Sequence, residues 1–262
     1  LLGTLMADEP RLGRKVLPPL CNIIQTTPAK SLVYECISTV TIALTHVLKS
    51  EGDNPPNVVP VVRLCTENLQ LFLTNEDQNL KYLGLVGLSS MMKCYPEAVS
   101  GCRSVILNCL QDEDITIRLR ALDLLCEMVT KGNLLDVIRK LMKHASVSED
   151  TYRHAIVERI LSVCSKNRYA IISDFSWYVS ILLELSSVEN MAFGENIGYQ
   201  LIDICMRVVS VREFAVQEIV SMLGSNPVIF GSVCWFGVKK LLLASAFILG
   251  EYSMLLEVNE EQ

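Results

Sequence analysis

The segment Asp77-Gln-Asn-Leu-Lys81-Tyr-Leu-Gly84-Leu85 returns, displaced by 37 residues, as Asp114-Ile-Thr-Ile-Arg118-Leu-Arg-Ala121-Leu122. At that constant offset Asp77 maps to Asp114, Lys81 to Arg118, Gly84 to Ala121, Leu88 to Leu125 and Met91 to Met128. A repeat of about 35–45 residues without strand signals points to stacked helix pairs. Such repeats build surface rather than a reaction pocket, so a chain of this kind is first read as a scaffold.

Helical periodicity runs along the chain. Val33, Cys36, Ile37, Val40, Leu44, Val47 and Leu48 mark one apolar stripe. Leu80, Leu83, Gly84, Gly87, Leu88 and Met91 mark another, and Ile117, Ala121, Leu124, Leu125 and Met128 repeat it. Ile156, Ile160 and Val163 continue the rhythm less faithfully. Thr27-Pro28, Pro60, Tyr95-Pro96 and Asn226-Pro227 read as helix starts, because proline is tolerated in a first turn. Gly132-Asn133 and Lys166-Asn167 read as helix ends. The expectation is an all-α chain of about a dozen helices joined by short turns, with Glu51–Asn57 as the clearest loop and no internal domain boundary.

Within the repeat, Asp77 and Asp114 sit where an N-cap carboxylate accepts backbone N–H groups. Gly84 and Ala121 are small residues on apolar faces, where two helices approach closely. Leu85, Leu88, Leu122 and Leu125 fill the space between layers. Lys81 and Arg118 stand four residues after the aspartates, close enough to pair on one flank or to reach the next repeat. The plainer reading of these charges is a cap plus a solvated cation, since exposed pairs contribute little. The Asp-x-x-x-Arg-x-x-Ala-Leu pattern resembles the second helix of a HEAT repeat.

The 262 residues are 50% hydrophobic, 20% charged and 6% aromatic, with mean hydropathy +0.35. That mix suits helices covered on two or three sides. The net charge of −6 lacks the basic stripe of a nucleic-acid-binding chain. The ten cysteines form no Cys-x-x-Cys pair, so they read as reduced, buried thiols rather than as zinc ligands or a disulfide framework. Ile219–Val238 carries no charge, but Gly224-Ser-Asn-Pro227, Gly231 and Gly237 interrupt it, so it reads as a helix end, a turn and a helix start. Leu1 stands where a Met would open a gene product, which suggests a piece of a longer protein.

Chemistry is sparse. His46, His144 and His154 fall in no metal-ligand spacing. Gly84-Leu-Val-Gly87 lies inside a helical pattern and lacks the Lys-Ser/Thr of a phosphate loop. Gln111-Asp-Glu-Asp114 has no twelve-residue loop for calcium and reads as a solvated turn. No catalytic residue, cofactor site or metal site is assigned, and the chain is read as a non-enzyme. Trp177, in Phe175-Ser-Trp-Tyr178, is either a wedge between helix layers or a partner anchor. The apolar turns that follow favour the wedge.

Several strings carry a family likeness: Glu9-Pro10-Arg11-Leu12-Gly13, Tyr34-Glu35-Cys36, Asp77 to Leu85, Ile117 to Leu125, Lys140-Leu-Met-Lys-His144, Phe175-x-Trp-Tyr-x-Ser-Ile-Leu-x-Glu-Leu185, Arg212-x-Phe-Ala-Val216 and Gly250-Glu-Tyr252. Together they resemble the trunk of the adaptins, the large subunits of clathrin-associated adaptor complexes. The Trp-Tyr-x-Ser-Ile-Leu and Arg-x-Phe-Ala-Val strings are more like the delta adaptins of adaptor protein complex 3. Departures cluster at 50–57 and 225–238.

The resemblance implies a right-handed α-solenoid of HEAT/armadillo-like helix pairs, with residues 1–262 a single trunk segment. It implies a non-enzymatic scaffold in vesicle-mediated protein transport, sorting cargo from Golgi or endosomes toward lysosome-related organelles. Its implied partners are a sigma-type small, a beta-type large and a mu-type medium subunit. A small GTPase and dileucine cargo would be met by regions outside this segment. The location would be cytoplasmic, peripheral on Golgi or endosomal membranes. Two other HEAT-array functions compete: a nuclear transport receptor, weakened by the presence of only two tryptophans, and a phosphatase-type scaffold.

Overall fold

A computed structural model describes residues 2–9, 11–51, 58–186, 193–225 and 235–255. Among these there is no strand. Among the described residues fourteen α-helices follow one another, close to the expected count of about a dozen. They are α1 (Leu2–Asp8), α2 (Arg11–Thr26), α3 (Lys30–Glu51), α4 (Val58–Leu73), α5 (Gln78–Met92), α6 (Pro96–Ser100) and α7 (Arg103–Cys109). Then come α8 (Ile115–Glu127), α9 (Leu134–Ala145), α10 (Asp150–Tyr169), α11 (Phe175–Ser186), α12 (Gly194–Arg207), α13 (Arg212–Ser225) and α14 (Trp235–Glu251). The chain is all-α, and its helix pairs stack in the manner of an α-solenoid. Its contacts cluster into two compact units, Leu1–Met128 and Val129–Gln262.

In the first unit α2 packs on α3, α4 on α5, and α7 on α8. The two echoing helices, α5 and α8, lie directly against each other. Most of the foreseen stripe residues are buried: Val33, Cys36, Ile37, Val40 and Leu44 on α3, Leu88 and Met91 on α5, and Ile117, Ala121 and Leu125 on α8. Leu80 and Leu83 are half-buried, and the side chains of Val47 and Leu48 lie outside the described residues. In the second unit α9 pairs with α10, α11 packs on α12 and α13, and α12 on α14. Burying these stripes is the main favourable term, at about 25 cal/mol per Å² of apolar surface.

Punctuation is partly as the sequence suggests. Pro96 opens α6 at its first position, and Pro60 sits in the first turn of α4. Lys166-Asn167 ends the regular part of α10: Lys166 turns extended, and Asn167, Arg168 and Tyr169 take φ of 51°, 57° and 62°. Gly132-Asn133 differs. Helix α8 stops earlier, at Met128, and Asn133 is the N-cap of α9. Its side-chain Oδ1 accepts from the Thr130 N–H at 2.8 Å, closing the turn that leads into the new helix. Pro18 and Pro19 stand inside α2, which is unforeseen. Proline has no N–H, so the Arg14 and Lys15 carbonyls lose their helical donors, at a site that faces out. The Asn226-Pro227 helix start, most of the 50–57 and 225–238 stretches and Cys234 lie outside the described residues, as does the side chain of His46.

Candidate functional site

The repeat shows how one turn is built twice. Asp77 and Asp114 are both extended N-caps, with ψ of 115° and 119°. Asp77 Oδ1 accepts from the Asn79 N–H at 2.8 Å, and Asp114 Oδ1 from the Thr116 N–H at 2.7 Å. Two residues before each cap, a further side chain accepts from the cap's own N–H. Asn75 does so for Asp77 at 2.9 Å and Asp112 for Asp114 at 3.1 Å. Positions 75 and 112 obey the same offset, so the sequence carries this second cap as well, in the pairing of Asn75 with Asp112.

Lys81 is not a solvated cation. Its Nζ donates to Asp112 Oδ2 at 2.6 Å, with side-chain exposures of 20% and 7%. The alternative of reaching the next repeat is therefore the one realised, and the partner is Asp112 rather than Asp114. Burial acts to raise the Asp112 pKa. The Lys81 ammonium and the Asp114 N–H outweigh it, holding the carboxyl below its ordinary value. Arg118, at the matching place in α8, is half-buried.

Gly84 and Ala121 mark unequal approaches. A Cβ on Gly84 would stand 2.9 Å from Leu73 Cδ2 and 3.2 Å from both the Leu69 carbonyl oxygen and Phe72 Cβ, so α4 and α5 meet without room for a methyl. Ala121 carries that methyl and is fully buried, as are Leu88 and Leu125.

Trp177 is not the layer wedge. It is half-buried, and the next residue, Tyr178, takes the wedge position with no exposure. The Tyr178 hydroxyl donates to Gln200 Oε1, and burial drives its pKa far above normal. Trp177 instead lines a groove of about 350 Å³ between α9 and α11, with Met142, Ile181, Arg139, Lys143 and Glu184 around it. Asp174 caps α11 through the Ser176 and Trp177 N–H groups, at 2.9 and 3.2 Å, which fixes the start of the helix that presents the indole. A second groove, about 230 Å³, lies between α12 and α14 under exposed Tyr199, Leu243 and Phe247, with the Lys240–Glu195 pair at its rim.

Neither groove presents a nucleophile beside a base. Burial raises the Cys65 thiol to about 12, with Cys21 and Cys36 nearby adding to it, and lifts Cys205 to about 11 against the pull of Arg212. His144 packs edge-on against Tyr152 and His154 against Phe193. Among the described residues no group of His, Cys, Asp and Glu is placed to hold a metal ion, and no helix is long and apolar enough to cross a membrane. A third groove, about 390 Å³, lies between α4 and α6 beside Val62, Arg63, Tyr95 and Glu97. What the arrangement offers is surface: repeats locked to one another by polar turns, and shallow grooves between helices.

The family model described as the adaptin N terminal region matches residues 1–261. The chain is 42% identical over 254 residues to the AP-3 complex subunit delta-1 of Bos taurus, covering 97% of this chain and 21% of that protein. It is 40% identical over 253 residues to the AP-3 complex subunit delta of Dictyostelium discoideum, with the same coverages. The chain thus spans about a fifth of these relatives' length. Its fold matches a chain in a homology model of the full-length AP-3 complex in an intermediate open conformation, with TM-score 0.70 and 23% identity over 99% of this chain and 47% of that one.

Proposed function

The chain belongs to the adaptin family through its N-terminal region, and from that premise we propose that it is a trunk segment of a delta-type large subunit in a vesicle-coat adaptor complex. Residues 1–262 act as one scaffold segment, although their contacts cluster into two units. The role is non-enzymatic: stacked repeats hold partner folds in fixed register. The partners are a sigma-type small subunit, a beta-type large subunit and a mu-type medium subunit. The complex sorts cargo from Golgi or endosomal membranes toward lysosome-related organelles. The chain is cytoplasmic and meets those membranes peripherally, through the assembly. A small GTPase and dileucine cargo are met by regions outside this segment.

The observation that carries the reading is the 42% identity to a delta subunit over nearly the whole chain. The repeat agrees with it, because its polar groups are spent on caps and inter-repeat links rather than gathered around a reacting centre. Co-expression tests it. A trunk containing these residues, tagged and expressed with a sigma-type chain, is expected to retain that chain through affinity purification and gel filtration. A trunk that is helical by circular dichroism and retains no sigma chain overturns the reading.

A further inference from the structure

The groove between α9 and α11 joins cations to an aromatic floor in a chain that is acidic overall. Its floor is apolar and aromatic: half-buried Trp177, Met142 and Ile181. One wall carries two exposed cations, Arg139 and Lys143, a turn apart on α9. Their neighbour Lys140 is neutralised by Asp136 at 3.2 Å, but Arg139 and Lys143 form no ion pair among the described residues. A molecule of net charge −6 thus sets two cations, neither in an ion pair among the described residues, beside a half-buried indole. Glu184 is the one acid among the described residues that line the groove.

We propose that this groove docks an amphipathic helix of a partner protein, one that sets an aliphatic side chain on Trp177 and carboxylates a turn apart against Arg139 and Lys143. The shape favours a helix. Two neighbouring helices bound a trough of about 350 Å³, near the lower end of ligand clefts, which run from about 300 to 1,000 Å³. Helix-in-groove recognition uses such a trough. Residues four apart on a helix rise by about 6 Å, so acids at i and i+4 on the partner match the spacing of the two cations. The charge favours an acidic partner. At physiological salt the screening length is about 8 Å, so the local pair outweighs the chain's distant negative charge. Glu184 repels a carboxylate at its own position, which gives the docked helix a direction. A bilayer surface fits poorly, because the indole sits in a concavity that a flat headgroup layer does not enter. The proposal stands apart from the adaptor reading and survives its failure.

A phage library of helical peptides with randomised outward positions tests it, panned on the whole chain. The expected clones carry Asp or Glu at i and i+4 beside a Leu, Ile or Met. Their synthetic peptides are expected to shift the indole emission of a Trp235→Phe chain, in which Trp177 is the only indole. The double substitution Arg139→Glu with Lys143→Glu is expected to weaken binding at least tenfold. Both positions are exposed, so the helicity of that variant is expected to match the parent's. Trp177→Ala is expected to weaken binding similarly, and Glu184→Lys to leave it unchanged or tighten it. Four outcomes overturn the proposal. They are failure of any clone to enrich, clones that bind the double variant equally, an emission shift from phosphatidylserine vesicles but not from peptides, and a self-association of this chain that the double variant abolishes.

Discussion

The Asp112 carboxylate accepts from Lys81 Nζ with one oxygen and from the Asp114 N–H with the other. It thereby ties α5 to the turn that starts α8. Its exposure is 7%, so water cannot readily replace a lost partner. Asp112→Asn removes the charge and leaves Lys81 mostly buried opposite an amide. Charge-assisted hydrogen bonds contribute about 1.5–3 kcal/mol, so a loss of about 2 kcal/mol is expected at pH 7. The sign with pH follows from the direction of the shift. The folded carboxyl titrates below its unfolded value, so its contribution is complete above the ordinary range near pH 4 and fades as the pH drops through the folded value. Urea midpoints of parent and variant should differ at pH 7 and converge toward pH 3. A gap that persists at acid pH would show that shape, not charge, is what the substitution disturbs. Gly84 gives a second case. Alanine raises helix propensity by about 1 kcal/mol, but its methyl would meet Leu73 Cδ2 at 2.9 Å and the Leu69 carbonyl oxygen at 3.2 Å. Overpacking costs about 1–3 kcal/mol. A backbone oxygen yields less than a side-chain tip, so Gly84→Ala should lower the thermal midpoint although Ala121 serves at the equivalent place in α8.

At the scale of elements, a recurrent device fastens successive helices. Arg153, early in α10, donates to the Ala145 carbonyl at the end of α9 and to the Ser148 carbonyl in the turn that follows, at 3.1 and 2.7 Å. Arg212, opening α13, donates to the Cys205 and Met206 carbonyls at the end of α12, at 2.8 and 3.0 Å, and lies 4.7 Å from the centre of the Tyr252 ring. The last carbonyls of a helix lack internal donors, and a guanidinium fork can satisfy two at once. Arg212→Lys keeps the charge and loses the fork, so about 1–2 kcal/mol of stability should go, read by chemical denaturation. The end of α10 works against stability. Arg168 is exposed at φ 57°, where a side chain costs about 1–2 kcal/mol and glycine costs less. Arg168→Gly should therefore raise the melting temperature, an uncommon direction for a helix-end substitution. Much of this layer was readable beforehand. The α3, α5 and α8 stripes were plain because each puts a run of apolar residues at helical spacing on a buried face: Val33 to Leu44, Leu85 to Met91, and Ile117 to Leu125. Gly132-Asn133 misled because glycine and asparagine punctuate both ends of helices, and only Asn133's bond to Thr130 decides between them. The Trp177 error was one of phase. Tyr178, Leu182 and Leu185 share a face that is apolar throughout, whereas Trp177 and Ile181 share theirs with Glu184. The charge at the end of that row was the available sign that it borders the surface, with Ile181 buried, Trp177 half-buried and Glu184 exposed.

For the whole molecule, the repeat alone announced a helical array, because a 37-residue period leaves room for two helices and their turns but for no larger core. It did not announce the docking groove, which needs side chains from helices about forty residues apart to be brought together by packing. Nor did it announce the division into Leu1–Met128 and Val129–Gln262, since no composition shift marks residue 128. An array of this kind is stabilised by neighbour on neighbour, so a local fault should stay local. Hydrogen exchange read by mass spectrometry tests that. Gly84→Ala and Asp112→Asn should speed exchange in α4, α5, α7 and α8, where the altered contacts lie, and leave α12 to α14 near parental rates. Arg212→Lys should do the reverse. If any one of these substitutions speeds exchange evenly from α2 to α14, the chain opens as a single cooperative body. The nearest-neighbour account of its stability then fails, even with every helix correctly placed.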